Sequence, residues 1–335
     1  MKFPNIVNLI KRKDKSSEPT QTLEEKLAAD NETIFSSSKI AYDGNRFPNP
    51  RVIGYTDIFL IDGFGNAPVN LTKNYHGGMR PAWSPDGKKI AFDYHVDGNW
   101  DIYVMNADGT GIGKLTDGPS KDIHPVWSSD GKRIAFSSNR GTYNQTVFVM
   151  NADGTGIQRL LDNEARAFPS SWSPDGSKML IESDYGYPCQ IYLVNSDGSD
   201  LKSLTRVNMP RPEFREVMDE WRNTYCDFEP KYSPDGSRIA FTSSRGGFNA
   251  LYVMNSDGTD AVRLTELTSI FHSPTWSPDG SKVAFISWSN LLQDPKPYDM
   301  PKTESIYIMD ADGTNIRRLN VGAGILRCAW SPFLE

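Results

Sequence analysis

Short apolar, β-branched and aromatic runs recur along the chain, and each is closed by Pro, Asp, Asn or Gly. One copy reads Pro81-Ala82-Trp83-Ser84-Pro85-Asp86-Gly87, then Ile90-Ala91-Phe92, then Ile102-Tyr103-Val104-Met105-Asn106-Ala107-Asp108-Gly109-Thr110, then Lys114-Leu115-Thr116. Runs of that length between turn residues predict strands rather than helices. The lead aromatic returns as Trp83, Trp127, Trp172, Tyr232, Trp276 and Trp330. Each copy supplies four strands: a around the lead aromatic, b at Ile-Ala-Phe, c at Ile-Tyr-Val-Met and d at the Leu-Thr word. Four strands per repeat make one propeller blade. The expected fold is therefore all-β, a six-bladed β-propeller over residues 39–335, preceded by a polar, largely disordered tail at 1–38.

The first copy, from Lys39, has no lead phrase, and an orphan lead, Ala329-Trp330-Ser331-Pro332, stands near the last residue. The two halves are complementary. Pairing the C-terminal strand with Ile40-Ala41-Tyr42 completes the first blade and leaves no open sheet edge.

The repeated turn words read as structural. In Ser-Pro-Asp-Gly (84–87, 173–176, 233–236 and 277–280) Pro presets one backbone angle, Gly accepts a positive one, and Asp bonds the local backbone. The Asn-Ala-Asp-Gly-Thr word does the same between c and d. A calcium loop beginning at Asp310 fails, because its twelfth position is Val321 rather than Glu. Met105, Met150, Met254 and Met309 occupy one strand position and read as core filling.

The Trp-Ser-Pro-Asp-Gly lead together with the Asn-Ala-Asp-Gly-Thr turn resembles the WD40-like repeat of the TolB-like propellers. The resemblance covers residues 39–335 and implies the six-bladed fold. It is less specific for function, because such propellers serve periplasmic scaffold proteins, oligopeptidases and some polysaccharide lyases. A secretion signal and an N-terminal α/β domain, which TolB itself carries, are not expected in residues 1–38.

Composition narrows the function classes. With 36 Lys plus Arg against 42 Asp plus Glu, the formal charge of -6 argues against a nucleic-acid or anionic-membrane partner. No apolar run nears the roughly 18 residues of a spanning helix. Lys11-Arg12-Lys13 stands where a signal-peptide cleavage site belongs, so a cytoplasmic location is expected, with the periplasm or envelope as the alternative that the family resemblance implies. Three cysteines, Cys189, Cys226 and Cys328, do not make a disulfide framework and are expected reduced, although Cys189 and Cys226 both fall near the elaborated face of the fourth blade and could meet. With four histidines, no Gly-x-Ser-x-Gly elbow and no His-Glu-x-x-His, no catalytic set, metal or cofactor is expected.

Function is sought where the copies differ. The a-to-b and c-to-d turns lie on one face and are short. Three insertions, 43–56, 206–228 and 287–304, lie on the other. They carry Arg215, Trp221, Trp288 and Tyr298 as candidate binding residues. Three positions before each lead aromatic stand Arg80, His124, Pro169, Glu229, Ser273 and Arg327, which differ in charge and size. Of these, Arg80, His124, Glu229 and Arg327 are expected at the mouth of the central channel on the elaborated face. The expected function is a non-enzymatic scaffold for a protein or peptide partner. The alternative is a lyase-like enzyme acting on a glycan or small molecule at the mouth.

Overall fold

The computed structural model describes residues 38–45, 56–66, 68–73, 77–162, 165–185, 189–205, 226–245, 249–266, 271–287, 304–319, 321 and 324–332. They form six four-stranded antiparallel sheets, each following the a-b-c-d order predicted from the repeat. Blade 2 is typical: a is Met79–Trp83, b Lys89–Val96, c Asn99–Asn106 and d Gly113–Lys114. No helix occurs among the described residues.

Blade 1 is closed by the chain's last strand, Ile325–Trp330, lying beside Lys39–Asn45 with Ile40 opposite Trp330. Beyond the strand, the Ser331 N–H donates to the Lys39 carbonyl at 2.7 Å, and the Lys39 N–H donates to Ser331 Oγ at 2.9 Å.

Six apolar clusters each fill the gap between two neighbouring blades. Lead tryptophans wedge into five of them. Strand b contributes the fully buried Phe92, Phe136, Phe241 and Phe285, and the four repeated methionines are each 1% exposed. The blades thus hold one another: no single sheet has a core of its own, so burial stabilises the ring as a unit.

The turn words are satisfied locally. Ser84 Oγ donates to Asp86 Oδ1 at 2.6 Å and accepts the Lys89 N–H at 2.9 Å, while Asp86 Oδ1 accepts the Lys88 N–H. In the c-to-d turns glycine is required twice over. Gly198 has φ 88°, and a Cβ there would stand 2.3 Å from the Leu160 carbonyl oxygen of the preceding blade.

Strand d is shorter than the Leu-Thr word predicts and stops one residue ahead of it. The reason is the threonine. Its Oγ1 accepts a strand-c N–H in four blades, from Ile58 to Thr72, Ile102 to Thr116, Ile191 to Thr205 and Leu251 to Thr265, at 2.9–3.0 Å. The side chain therefore replaces a ladder bond. Of the insertions, 43–45, 56, 227–228 and 287 belong to strands, because Asn45 pairs with Thr56 and strand a of blade 5 begins at Asp227. The greater part of each lies outside the described residues.

Candidate functional site

The six strands a converge on the ring axis and line a funnel of about 540 Å³. Arg80, His124, Glu229 and Arg327, expected together at the channel, all line it. Arg215, Trp221, Trp288 and Tyr298 lie outside the described residues. The lining runs from the charged residues toward Trp83, Trp127, Pro85, Pro174, Pro234 and Pro278. The prolines belong to the Ser-Pro turns and the tryptophans to the ends of strands a, so the lining reaches the face of short turns. The charged residues stand near the beginning of strand a and the lead aromatics at its far end. The space between the six lead positions is what stays open.

The charged layer has an unusual backbone. Arg80, His124, Glu229 and Ser273 have φ of 55–57°, a region that non-glycine residues seldom occupy. Each sits where strand a shifts register against strand b. Such a conformation costs about 1 kcal/mol per residue or more and persists only where its surroundings hold it. Here they do. The bulge turns each N–H toward a buried or half-buried carboxylate: Arg80 N–H to Asp43 at 2.9 Å, Glu229 N–H to the half-buried Glu182 at 2.8 Å and Ser273 N–H to Glu229 at 2.6 Å. The His124 N–H faces Asp93 in the same way.

The exception supports the rule. Pro169 has no N–H and cannot adopt a positive φ, and the strand-b position facing it holds Ser137 rather than an acid. Ser137 Oγ donates instead to the Ala167 carbonyl at 3.0 Å. Blade 1 also differs: Arg327 N–H donates at 2.6 Å to Asp43 of its own blade, so Asp43 ties blade 1 to blade 2.

The acids Asp43, Asp93 and Glu182 and the amine of Lys231 were not anticipated. A signal was present: the fifth position of strand b reads Asp43, Asp93, Ser137, Glu182, Thr242 and Ile286, a mostly polar series inside a largely buried strand. Arg80 pairs with Asp93 at 2.5 Å and Arg327 with Glu229 at 2.8 Å. Lys231 donates to the Ser170 carbonyl.

Burial governs the protonation of this layer. It pushes Asp43 and Glu182 up, the latter with help from the Glu229 charge, and raises Asp93 to about 6 against the pull of Arg80. Glu229 is driven up by burial too, but Arg327, His272, the Ser273 N–H and Lys231 outweigh it and hold the carboxyl low. Burial lowers His272 to about 4 and, with the charges of Arg80, Arg327 and Lys231, holds His124 lower than an ordinary histidine. The layer therefore offers guanidinium and ammonium donors, carboxylate acceptors and neutral imidazoles within one apolar-rimmed funnel. That set recognises polar main-chain and side-chain groups. Among the described residues no cluster of three or more His, Cys, Asp or Glu is arranged to hold a metal ion.

Fold and funnel define a six-bladed propeller with a charged axial layer. The chain belongs to the TolB beta propeller domain family, which it matches over residues 66–146 and 215–301, about half its length. A 43-residue stretch is 56% identical to the Tol-Pal system protein TolB of Anaeromyxobacter dehalogenans strain 2CP-C, covering 13% of this chain and 10% of that protein. The match thus spans about a tenth of the length of that curated relative. Among solved structures, TolB from Acinetobacter baumannii superposes with TM-score 0.69 at 23% identity, covering 89% of this chain and 67% of that one. The hydrazine synthase of Kuenenia stuttgartiensis superposes with TM-score 0.67 at 16% identity, covering 89% and 47%. At such identities the likeness shows the fold alone.

Proposed function

We propose that this propeller is a non-enzymatic scaffold that binds a protein or peptide partner, with a segment of the partner entering the axial funnel. The observation that carries the reading is the strained, cross-blade charged layer that lines an axial funnel together with Trp and Pro side chains. Four of the eight non-glycine residues with positive φ among the described residues, Arg80, His124, Glu229 and Ser273, lie within strands of this layer, whereas the other four are Asp or Asn in turns, and strain inside a strand marks functional positions. The family match and the short likeness to a Tol-Pal system protein support a protein partner, and they favour the envelope over the cytoplasm as its location. Fractionation of the native host with an antibody to the chain tests the location.

The binding test uses affinity capture from the native host with the full chain, identification of the partner, and titration of the purified pair. Pro85 and Pro174 are exposed at the rim, so the double variant Pro85→Arg, Pro174→Arg obstructs the funnel with little effect on folding. It is expected to bind at least about tenfold more weakly, a loss of about 1.4 kcal/mol. Trp221→Ala, Trp288→Ala is expected to leave affinity unchanged. The opposite pattern sinks the funnel reading and assigns the partner to the insertion face. A stoichiometric divalent metal in the purified protein would favour the enzyme alternative instead.

A further inference from the structure

The funnel does not use the two cysteines at the blade 4–blade 5 junction. Cys189 leads into strand c of blade 4 (Gln190–Asn195), and Cys226 leads into strand a of blade 5 (Asp227–Tyr232). The Asp227 N–H donates to the Cys189 carbonyl at 3.0 Å. Cys226 is pinned to blade 5 in turn: its N–H donates to Ser244 Oγ at 2.8 Å, and its carbonyl accepts the Ser244 N–H at 2.9 Å. Between these anchored backbones the Cys189 thiol donates a hydrogen bond to the Cys226 sulfur. Both residues are partly exposed, whereas Cys328 is buried and donates to the Ser273 carbonyl.

We propose that Cys189 and Cys226 are a redox-modification site, a dithiol that a small-molecule disulfide converts into a reversible bond between blades 4 and 5. The hydrogen bond from Cys189 holds the Cys226 thiol down to about 7, so Cys226 is the attacking sulfur, while the same bond and burial keep Cys189 protonated. The Cys226 thiolate attacks one sulfur of the oxidant, expels a thiolate and becomes a mixed disulfide. Its sulfur then no longer accepts from Cys189. The Cys189 sulfur attacks Cys226 Sγ, expels the second thiolate, and its proton goes to that leaving group. Two protein thiols are oxidised, and one disulfide is reduced to two thiols. Cys328, raised to about 12 chiefly by burial, takes no part.

The test treats the reduced full-length chain with oxidised glutathione, then unfolds it without reductant for thiol titration, intact-mass measurement and peptide mapping. One thiol remaining, a mass lower by two hydrogens and a Cys189–Cys226 linked peptide are expected, all reversed by dithiothreitol. The oxidised chain is also expected to melt higher, because the bond closes a long loop. Cys189→Ser is expected to stop at a stable glutathione adduct on Cys226. Three thiols remaining, an adduct that persists on wild type, or a bond that involves Cys328 or a second chain overturns the proposal. None of these readouts depends on partner binding, so the proposal stands or falls apart from the funnel reading.

Discussion

The a-to-b turns and the axial layer lie at opposite ends of the same strands, yet they are stabilised in opposite ways. Each turn closes on itself: Ser, Asp and the following N–H groups bond within five residues, in blades 2 to 6 with small edits. The axial groups reach other blades, with Asp43 taking the Arg80 N–H of blade 2 beside the Arg327 N–H of its own blade, and Glu229 taking an N–H from Ser273 and a guanidinium from Arg327. Local satisfaction makes a unit that can be copied. Cross-blade satisfaction makes positions that can only be changed together, and there the repeat is free to differ.

The most severe break removes both kinds of closure at one blade. Deleting residues 324–335 strips strand a from Lys39–Asn45, takes Trp330 from the blade 6–blade 1 core and removes Arg327 from Asp43 and Glu229. More than about 5 kcal/mol should be lost, the whole margin of an ordinary domain. Circular dichroism melts should show no cooperative transition; a transition within a few degrees of wild type would make the closing strand dispensable.

Next is the axial layer alone. Glu229→Gln removes the carboxylate that pairs with Arg327; because the Arg327 side chain is 34% exposed and Asp43 remains beside it, the expected cost is about 2–3 kcal/mol. Urea titrations should show that loss at pH 7, and a change below about 1 kcal/mol would mean that the layer is solvated rather than structural.

The difference between the regions also explains what was legible in the sequence. The ring, its count and its closure at Trp330 follow from words whose bonds are local, so a linear pattern carries them. Arg80, His124, Glu229 and Arg327 could be placed at the channel because they hold a fixed offset from the lead aromatics. Their partners could not. Asp43, Asp93 and Glu182 stand on strand b of a blade, three of them opposite bulges of the next blade, and no periodicity of one strand reports a bond to another sheet. Nor does an Arg, His or Glu announce a positive φ, which here comes from the bulge and the acid beyond it.

A pH series sharpens the electrostatic side. His272, 8% exposed, is held by burial at about 4, between the favourable charge of Glu229 and the unfavourable charge of Arg327. An unfolded histidine titrates near 6.5, so between about 4 and 6.5 the unfolded chain binds the proton that the folded chain refuses, and stability falls as pH falls. At pH 5 that amounts to about 2 kcal/mol. Urea midpoints of wild type and His272→Phe at pH 7 and pH 5 isolate it: the wild type should lose about 2 kcal/mol more than the variant. Equal losses would place the imidazole in water.

The smallest effect tests the repeated side and asks whether equivalent positions are equivalent in energy. Thr72, Thr116, Thr205 and Thr265 each accept one strand-c N–H at the same geometry, and each is 0–8% exposed. Replacing any of them by Val keeps the shape and leaves a buried N–H unpaired, at about 1 kcal/mol. Four separate Thr→Val variants, compared by urea midpoint at pH 7, should agree within about 0.5 kcal/mol. Agreement is expected because each bond is made inside one blade, to a strand that every blade possesses. A spread of several-fold would mean that neighbouring blades reach into the threonine positions as they do into the axial ones, and that the division between copied and coupled positions does not follow the line from turn to axis.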